Sequence, residues 1–485
     1  MEKERFFKGL RAVFNPSSVA VVGASEKPAK LGFHVMKSLT RGGYEGAIIP
    51  INPSSTEVMG IKAYPSLTEY PGTPDMAIIV VPAAHVASVL AECGKKSVKG
   101  VVLITAGFKE IDDPSGALLQ KEVALLADSL SIPVIGPNTF GIVNLHARLN
   151  ASFTPEFSLV RAGGVTLVSQ SGGISHLLGF LAMKQGIGMA KIIGLGNRLN
   201  VDFADLLPFL AEDEETRAIA LYIEGLDNPR PLLEEAKKLL GRKPVVAYKS
   251  GAGTRGDAAS RSHTGSLAGR GEIYDGALHQ ACIVTVKSPQ ALLDAARVLA
   301  SCPGLKMNTV AILTGQAGPG MAASDVCETE GMKIAVFSTQ TQEKINALLP
   351  PLAMRTNPVD MGPAWYDARA IEGIVRAALD DEAVGGALIL MMFASANRDV
   401  LPRIKDFFLE WKQKKPVITC FSAPEGIWDE DIRILEEAGA IVNFPTPERA
   451  ASAMSVLGRY KTLTLMPFWG TTKDENHSHP SQPLG

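Results

Sequence analysis

Cysteine is scarce in this chain. The 485 residues hold five, Cys93, Cys282, Cys302, Cys327 and Cys420, odd in number and with no CxxC spacing. A disulfide framework is therefore not expected, and the thiols read as reduced in a cytoplasmic protein. Charge of one sign is lacking too: 48 basic against 50 acidic residues leave a net charge of −2, with no basic run. No global field favours nucleic acid or an anionic membrane. Nor does any stretch approach the roughly 18 unbroken apolar residues of a membrane span. The start, Met1-Glu2-Lys3-Glu4-Arg5, carries no apolar run long enough for a secretory signal. The expectation is a soluble protein that binds neither nucleic acid nor membrane. Two nucleotide signatures are also missing from where they would serve: the loop after the first strand is not GxGxxG, and no GxxxxGK[ST] occurs in the chain. A nicotinamide site and a P-loop are disfavoured accordingly.

What is present is apolar and rhythmic. Hydrophobic residues make up 46% of the chain, and its length suits three domains of roughly 150 residues. Short β-branched runs alternate with helical spacing, the pattern of buried parallel sheets with crossover helices. Three sets are expected. The first runs from Ser18–Gly23 to Ile132–Gly136, the second from Gly164–Ser169 to Cys282–Thr285, and the third from Asn308–Thr314 to Ala440–Asn443. The fold class is α/β, with three consecutive Rossmann-like or flavodoxin-like parallel-sheet domains. Joints near His146–Gly163 and Ser301–Asn308 divide it into residues 1–147, 148–303 and 304–465. Residues 466–485 form a tail, polar from Gly470 onward, expected to be flexible rather than metal-binding. Nothing in the pattern points to a metal held by this chain.

In such sheets ligands bind beyond the carboxyl ends of the strands. The loop after the first strand, Gly23-Ala24-Ser25-Glu26-Lys27-Pro28-Ala29-Lys30-Leu31-Gly32, offers Ser25, Lys27 and Lys30 to a phosphate-bearing ligand. The second strand ends in Ile51-Asn52-Pro53, without the carboxylate that NAD would want. Val81-Pro82, Thr105-Ala106 and Gly136-Pro137-Asn138-Thr139-Phe140 are further turns on the same side, together the walls of a nucleotide-sized cleft. In the second domain, Ser169-Gln170-Ser171-Gly172-Gly173 lies between a strand and an apolar helix. Such a helix start would bind an anion, though the same glycines would also serve if only tight helix–sheet packing were needed. Tyr222-Ile223-Glu224-Gly225 puts an acid at a strand end, able to hold one imidazole nitrogen and leave the other free. The loop Ser260-Arg261-Ser262-His263-Thr264-Gly265-Ser266 supplies that imidazole. His263 can accept a phosphoryl group, while Ser262, Thr264 and the glycine backbone can cradle it. The third domain repeats the theme in Thr314-Gly315-Gln316-Ala317-Gly318, but no histidine lies between His279 and His477. It reads as a docking or completing domain.

Taken in order, Gly23-Ala24-Ser25, Ile51-Asn52-Pro53, Gly136-Pro137-Asn138, Ser169 to Gly173, Tyr222 to Gly225, Ser262 to Gly265 and Asn357-Pro358-Val359-Asp360 resemble the α subunit of ADP-forming acetyl-CoA synthetases. Those enzymes are relatives of succinyl-CoA synthetase, and the likeness spans about residues 10 to 460. It implies that acid, CoA and ATP give acyl-CoA, ADP and phosphate through an acyl phosphate and a phosphohistidine. By this likeness His263 is phosphorylated and Glu224 orients it. Ser169, Ser171, Gly172 and Gly173, with Ser262, Thr264 and Gly265, bind the phosphate. CoA is held by Gly23, Ser25, Lys27, Asn52, Val81, Pro82, Thr105 and Ala106, with Asn138 and Phe140 at the acyl end. Depending on how Phe140 shapes that end, the acid could be acetate, a branched or aryl acid, or a dicarboxylate. The three domains leave no room for an ATP-grasp unit. A separate ATP-grasp β subunit would hold ATP/ADP with Mg²⁺, in an α2β2 or other oligomer. The His263 loop would then swing between sites on glycines such as Gly251 and Gly265. The competing reading is a non-catalytic, CoA-binding regulatory protein of the same fold.

Overall fold

Every strand expected in the three sets forms, most of them trimmed at one or both ends, in the computed structural model, which describes residues 2–251, 271–351 and 354–465. The expected tail at 466–485 lies outside the described residues. The first sheet uses β1 (Ser18–Val22), β2 (Ala47–Ile51), β5 (Met76–Ile79), β6 (Gly100–Leu103) and β7 (Val134–Ile135), all parallel, in the order β2-β1-β5-β6-β7. A two-residue hairpin, β3 (Glu57–Val58) with β4 (Ile61–Lys62), stands apart from it. Val19, Ala20, Val21 and all of Met76–Ile79 are buried, because crossover helices cover both faces of a parallel sheet and select continuous apolar strands.

The second sheet runs β14-β13-β12-β10-β11-β8-β9. Its parallel part is β10 (Ala162–Ser169), β11 (Met189–Gly194), β12 (Ala218–Ile223), β13 (Val245–Lys249) and β14 (Val284–Thr285). Two antiparallel strands absent from the sequence expectation extend it, β8 (Gly141–Asn144) on β11 and β9 (Leu149–Ser152) on β8. The chain therefore enters the second sheet directly after the Gly136–Phe140 turn, ahead of the joint expected near His146–Gly163. The third sheet, β16-β15-β18-β19-β20 with β17 (Val359–Asp360) on β15, repeats the parallel order of the second. Here β15 is Thr309–Thr314, β16 Lys333–Ile334, β18 Gly386–Met392, β19 Val417–Ser422 and β20 Val442–Asn443. In both sheets the strand end leading into the site helix has the same register: Ser169 pairs with Tyr222, and Thr314 with Leu390.

The domains share cores. Leu10, Val13 and Phe14 of the N-terminal helix join one apolar cluster with Phe203, Leu206 and Leu210 of the second domain. The Phe14 and Phe209 rings stack at 4.7 Å. Helix Pro289–Ser301 packs on the C-terminal helix Pro447–Leu465, and Leu292 and Ala296 share a second cluster with Ala450, Met454 and Leu457. Across this second junction Arg449 grips Asp294 through two bonds, of 2.7 and 2.9 Å. The Asp294 side chain is 9% exposed, and removing one partner of a buried pair strands the other charge. Asp294→Ala is expected to weaken docking of the third domain by about 3 kcal/mol, seen as an earlier first transition in urea. A single unshifted transition would mean that the apolar core alone holds the junction.

Candidate active site

The carboxyl edge of the first sheet opens a groove of about 1150 Å³. It is lined by all eight residues expected to hold CoA: Gly23, Ser25, Lys27, Asn52, Val81, Pro82, Thr105 and Ala106. Their side chains divide the work. Lys27 and Lys30 are exposed and present charge. Asn52 donates to Ala24 O at 2.8 Å and accepts from Ser54 N at 2.8 Å, clamping two turns together. Ser25 Oγ accepts from Lys27 N at 3.1 Å, and Thr105 Oγ1 donates to Val81 O at 2.7 Å. These three fix the walls, because short polar side chains in turns bond readily to nearby backbone. Gly23 holds φ at +96°, and a Cβ on Gly32 would stand 2.0 Å from Gly23 O. Gly32 thus serves the close helix–strand approach that a GxGxxG loop would otherwise provide.

At Leu31 and Ala106 the groove meets a second cavity of about 600 Å³ between the first two domains. Asn138, Phe140, Ser171, Gly172, Gly173 and Glu224 line it, as the sequence placed them, joined by Lys109, Gln170, His176 and Arg198, which sequence reasoning missed as site residues. Helix Gly172–Lys184 starts here. Ser171 is its N-cap, accepting from Ile174 N at 3.4 Å. Ser169 does not reach the cavity: it is fully buried, accepts from Ser171 N at 3.1 Å and donates to Ser171 O at 2.9 Å, shaping the turn. A Cβ built on Gly172 or Gly173 meets nothing within 4 Å. Tight helix–sheet packing therefore does not account for these glycines, whose first-turn amides point out of the helix.

Glu224 follows β12 and faces the same cavity. Its turn is held by Gln170, whose Oε1 accepts from the amides of Glu224 and Gly225 and whose Nε2 donates to Gly225 O at 2.8 Å. Gln170→Ala leaves those buried amides without an acceptor, a loss of about 1–3 kcal/mol. It is expected to lower Tm and, by freeing Glu224, to cut turnover about tenfold or more. Unchanged turnover in the folded variant would show that the turn holds itself.

Asn138 adopts φ +56° and donates from Nδ2 to Asn197 Oδ1 at 3.3 Å. Asn197 in turn bonds Glu110 and Gln120 of the first domain. Burial works against the charge of Glu110, yet hydrogen bonds from the Gly107 amide and Asn197 hold its carboxyl below the usual range. Phe140 is 1% exposed and packs edge-on against Phe157 and His176, with centroids 5.4 and 5.5 Å away. His176 Nδ1 lies 2.7 Å from Gly172 O, and Nε2 lies 2.7 Å from Thr154 Oγ1. A carbonyl can only accept, so Nδ1 carries the proton and Nε2 accepts from the hydroxyl. Both nitrogens are occupied, and His176 is a wall. Arg198 pairs with Asp202 at 2.7 Å and Asp227 at 3.0 Å. The expected nucleophile loop, with Ser262, His263, Thr264 and Gly265, lies outside the described residues. In the third domain the strand register sets Met392 where Glu224 stands in the second, so that copy of the scaffold lacks the acid.

Residues 17–144 match the family described as CoA binding domain, and residues 162–299 match the Succinyl-CoA ligase like flavodoxin domain. Over 450 residues the chain is 38% identical to subunit alpha of ADP-forming acetate–CoA ligase II from Pyrococcus furiosus, covering 92% of this chain and 96% of that one. ADP-forming acetate–CoA ligase I of Archaeoglobus fulgidus is 36% identical over 94% of this chain but only 64% of its own length. Among solved structures, the dinucleotide-forming acetyl-coenzyme A synthetase 1 of Ca. Korarchaeum cryptofilum, in complex with phosphate and ADP, superposes with a TM-score of 0.87. It is 34% identical, over 94% of this chain and 97% of that one. The chain belongs to the family of α subunits of ADP-forming acetate/acyl-CoA ligases, which are acid–thiol ligases.

Proposed function

We propose that this α subunit joins a carboxylic acid to CoA through an acyl phosphate and a phosphohistidine on His263, and passes the phosphoryl group to and from a nucleotide on a separate ATP-grasp subunit. The observation that carries the reading is the junction at Leu31 and Ala106, where the groove of the CoA-binding domain opens onto the helix start at Ser171-Gly172-Gly173 with Glu224 alongside. In the direction of acyl-CoA breakdown, a phosphate held at the helix start attacks the thioester carbonyl. The C–S bond breaks, a C–O bond to phosphate forms, and CoA leaves as the thiolate. An imidazole nitrogen of His263 then attacks phosphorus. The P–O bond to the acyl oxygen breaks, the N–P bond forms, and the carboxylate leaves. Glu224 accepts the N–H of the other ring nitrogen, fixing the tautomer and stabilising the charge the ring gains. The chain's own contribution is positioning and electrostatics, as phosphoryl transfer requires.

Phe140, Phe153 and His176 border the acyl end, and Asn138 offers it an amide. ATP or ADP with Mg²⁺ is assigned to the partner, in an α2β2 or similar assembly. The subunit alpha of the Pyrococcus relative, covered almost whole by this chain, and the longer Archaeoglobus relative support that division. Nothing in the geometry favours the non-catalytic alternative.

The test is to incubate the purified chain with acetyl-CoA and labelled phosphate and to map acid-labile label by mass spectrometry. Label on the His263 peptide and release of one CoA per label are expected. A chain that binds CoA tightly yet takes no label, alone or with a candidate ATP-grasp subunit, would refute the reading.

A further inference from the structure

Resting on the proposed function, the inference concerns the charge balance of the cavity where phosphate is to be held. Inorganic phosphate brings about two negative charges at neutral pH. Around the cavity Glu224 adds another, and Arg198 is already engaged by Asp202 and Asp227. The helix start contributes about half a positive charge. These groups alone would repel the anion. Among the described residues one further cation lines the cavity, Lys109, on the loop after β6 of the first domain and across the domain boundary from the helix start. Among the described residues its ammonium makes no hydrogen bond and no ion pair.

We infer that Lys109 is the cation that holds the phosphoryl oxygens, closing the phosphate site from the first domain while the Ser171-Gly172-Gly173 helix start closes it from the second. Its backbone is placed for this. The amides of Gly107 and Phe108 donate to Glu110, the Lys109 amide reaches Gln120 Oε1 at 3.4 Å, and Phe108 beside it is fully buried. A rigid loop therefore presents a flexible stem. Burial first, and then the neighbouring Arg198, push the ammonium's pKa down against the opposing pull of Asp227, Asp202 and Glu110. An arriving dianion would relieve that penalty, the behaviour of a cation kept for a ligand. The arrangement also ties the acyl-CoA domain to the phosphate. Lys109 lies three residues beyond Ala106, where the two cavities meet, so phosphate held by Lys109 lies toward the thioester.

The test compares Lys109→Met and Lys109→Arg with the unaltered chain in the acetyl-CoA and labelled-phosphate assay, varying each reactant in turn. Lys109→Met is expected to raise the phosphate concentration for half-maximal labelling about 30-fold or more, with the acetyl-CoA dependence unchanged. Lys109→Arg, which keeps the charge, is expected to recover most of the loss. CoA binding by calorimetry verifies that each variant is folded. An unaltered chain that labels on His263 alongside a Lys109→Met chain with the same phosphate dependence would overturn the inference and leave the proposed function standing. So would equal losses toward both reactants, or a change confined to which acyl-CoA is preferred, which would assign Lys109 to the acid. Failure of the unaltered chain to label, both alone and with a candidate ATP-grasp subunit, would remove both.

Discussion

His263→Ala is expected to yield a chain that binds CoA normally and accepts no phosphoryl group at all, and Glu224→Gln one that accepts it about 10²- to 10⁴-fold more slowly. The two variants fail at the same step for different reasons. Without the imidazole there is no nitrogen to attack phosphorus, and the other histidine at the cavity cannot take over. His176 donates to Gly172 O and accepts from Thr154, so neither nitrogen is available. Glutamine at 224 keeps the volume and still sits on the turn that Gln170 braces. It no longer supplies a negative charge to the ring as the ring becomes cationic, which is the electrostatic part of the orienting role. The measurement is the initial rate of acid-labile labelling from acetyl-CoA and labelled phosphate. Label persisting in His263→Ala would move the nucleophile elsewhere. A wild-type rate in Glu224→Gln would reduce that carboxylate to a surface acid.

Much of this was legible from residues alone, and the failures have one cause. Parallel strands buried on both faces must be continuous and apolar, so runs such as Met76–Ile79 and Gly386–Met392 declared themselves. The strands β8 and β9 did not, because four residues each, beside a glycine- and proline-rich turn, carry too little pattern to separate strand from linker. The site shows the same limit. A hydroxyl or amide near a strand end can face a ligand or close its own turn, and sequence does not distinguish the two. Ser169, Ser25, Asn52 and Thr105 bond their neighbours' backbone, whereas Lys109, passed over in the sequence, lines the cavity. Gln170 was visible inside its motif, yet its task depends on Glu224 lying 54 residues further on.

Gly173→Asp is expected to abolish labelling to about one part in 10³ or below while leaving Tm unchanged or slightly raised. The two effects have opposite origins. A Cβ at position 173 meets nothing within 4 Å, and its φ lies outside the left-handed region, so the fold tolerates a side chain. An acid in the first turn also complements the helix dipole, a gain of about 0.3–1 kcal/mol. The same carboxylate sets a fixed negative charge where the incoming phosphate must lie. At a few ångströms in a partly dry cavity that repulsion amounts to about 4 kcal/mol, enough for a loss of about 10³-fold. The third domain supplies the matched control. By strand register Gly318 is the counterpart of Gly173, second residue of helix Ala317–Thr329 as Gly173 is of helix Gly172–Lys184, and a Cβ there also meets nothing within 4 Å. Met392 faces that turn in place of Glu224, its amide bonded to Gln316 at 3.4 Å. Gly318→Asp is therefore expected to keep wild-type labelling with the same small rise in Tm. If both variants lose activity, the third domain takes part in phosphoryl transfer. If neither does, the anion is bound away from the helix start, and the charge argument for Lys109 must be rebuilt around a different site.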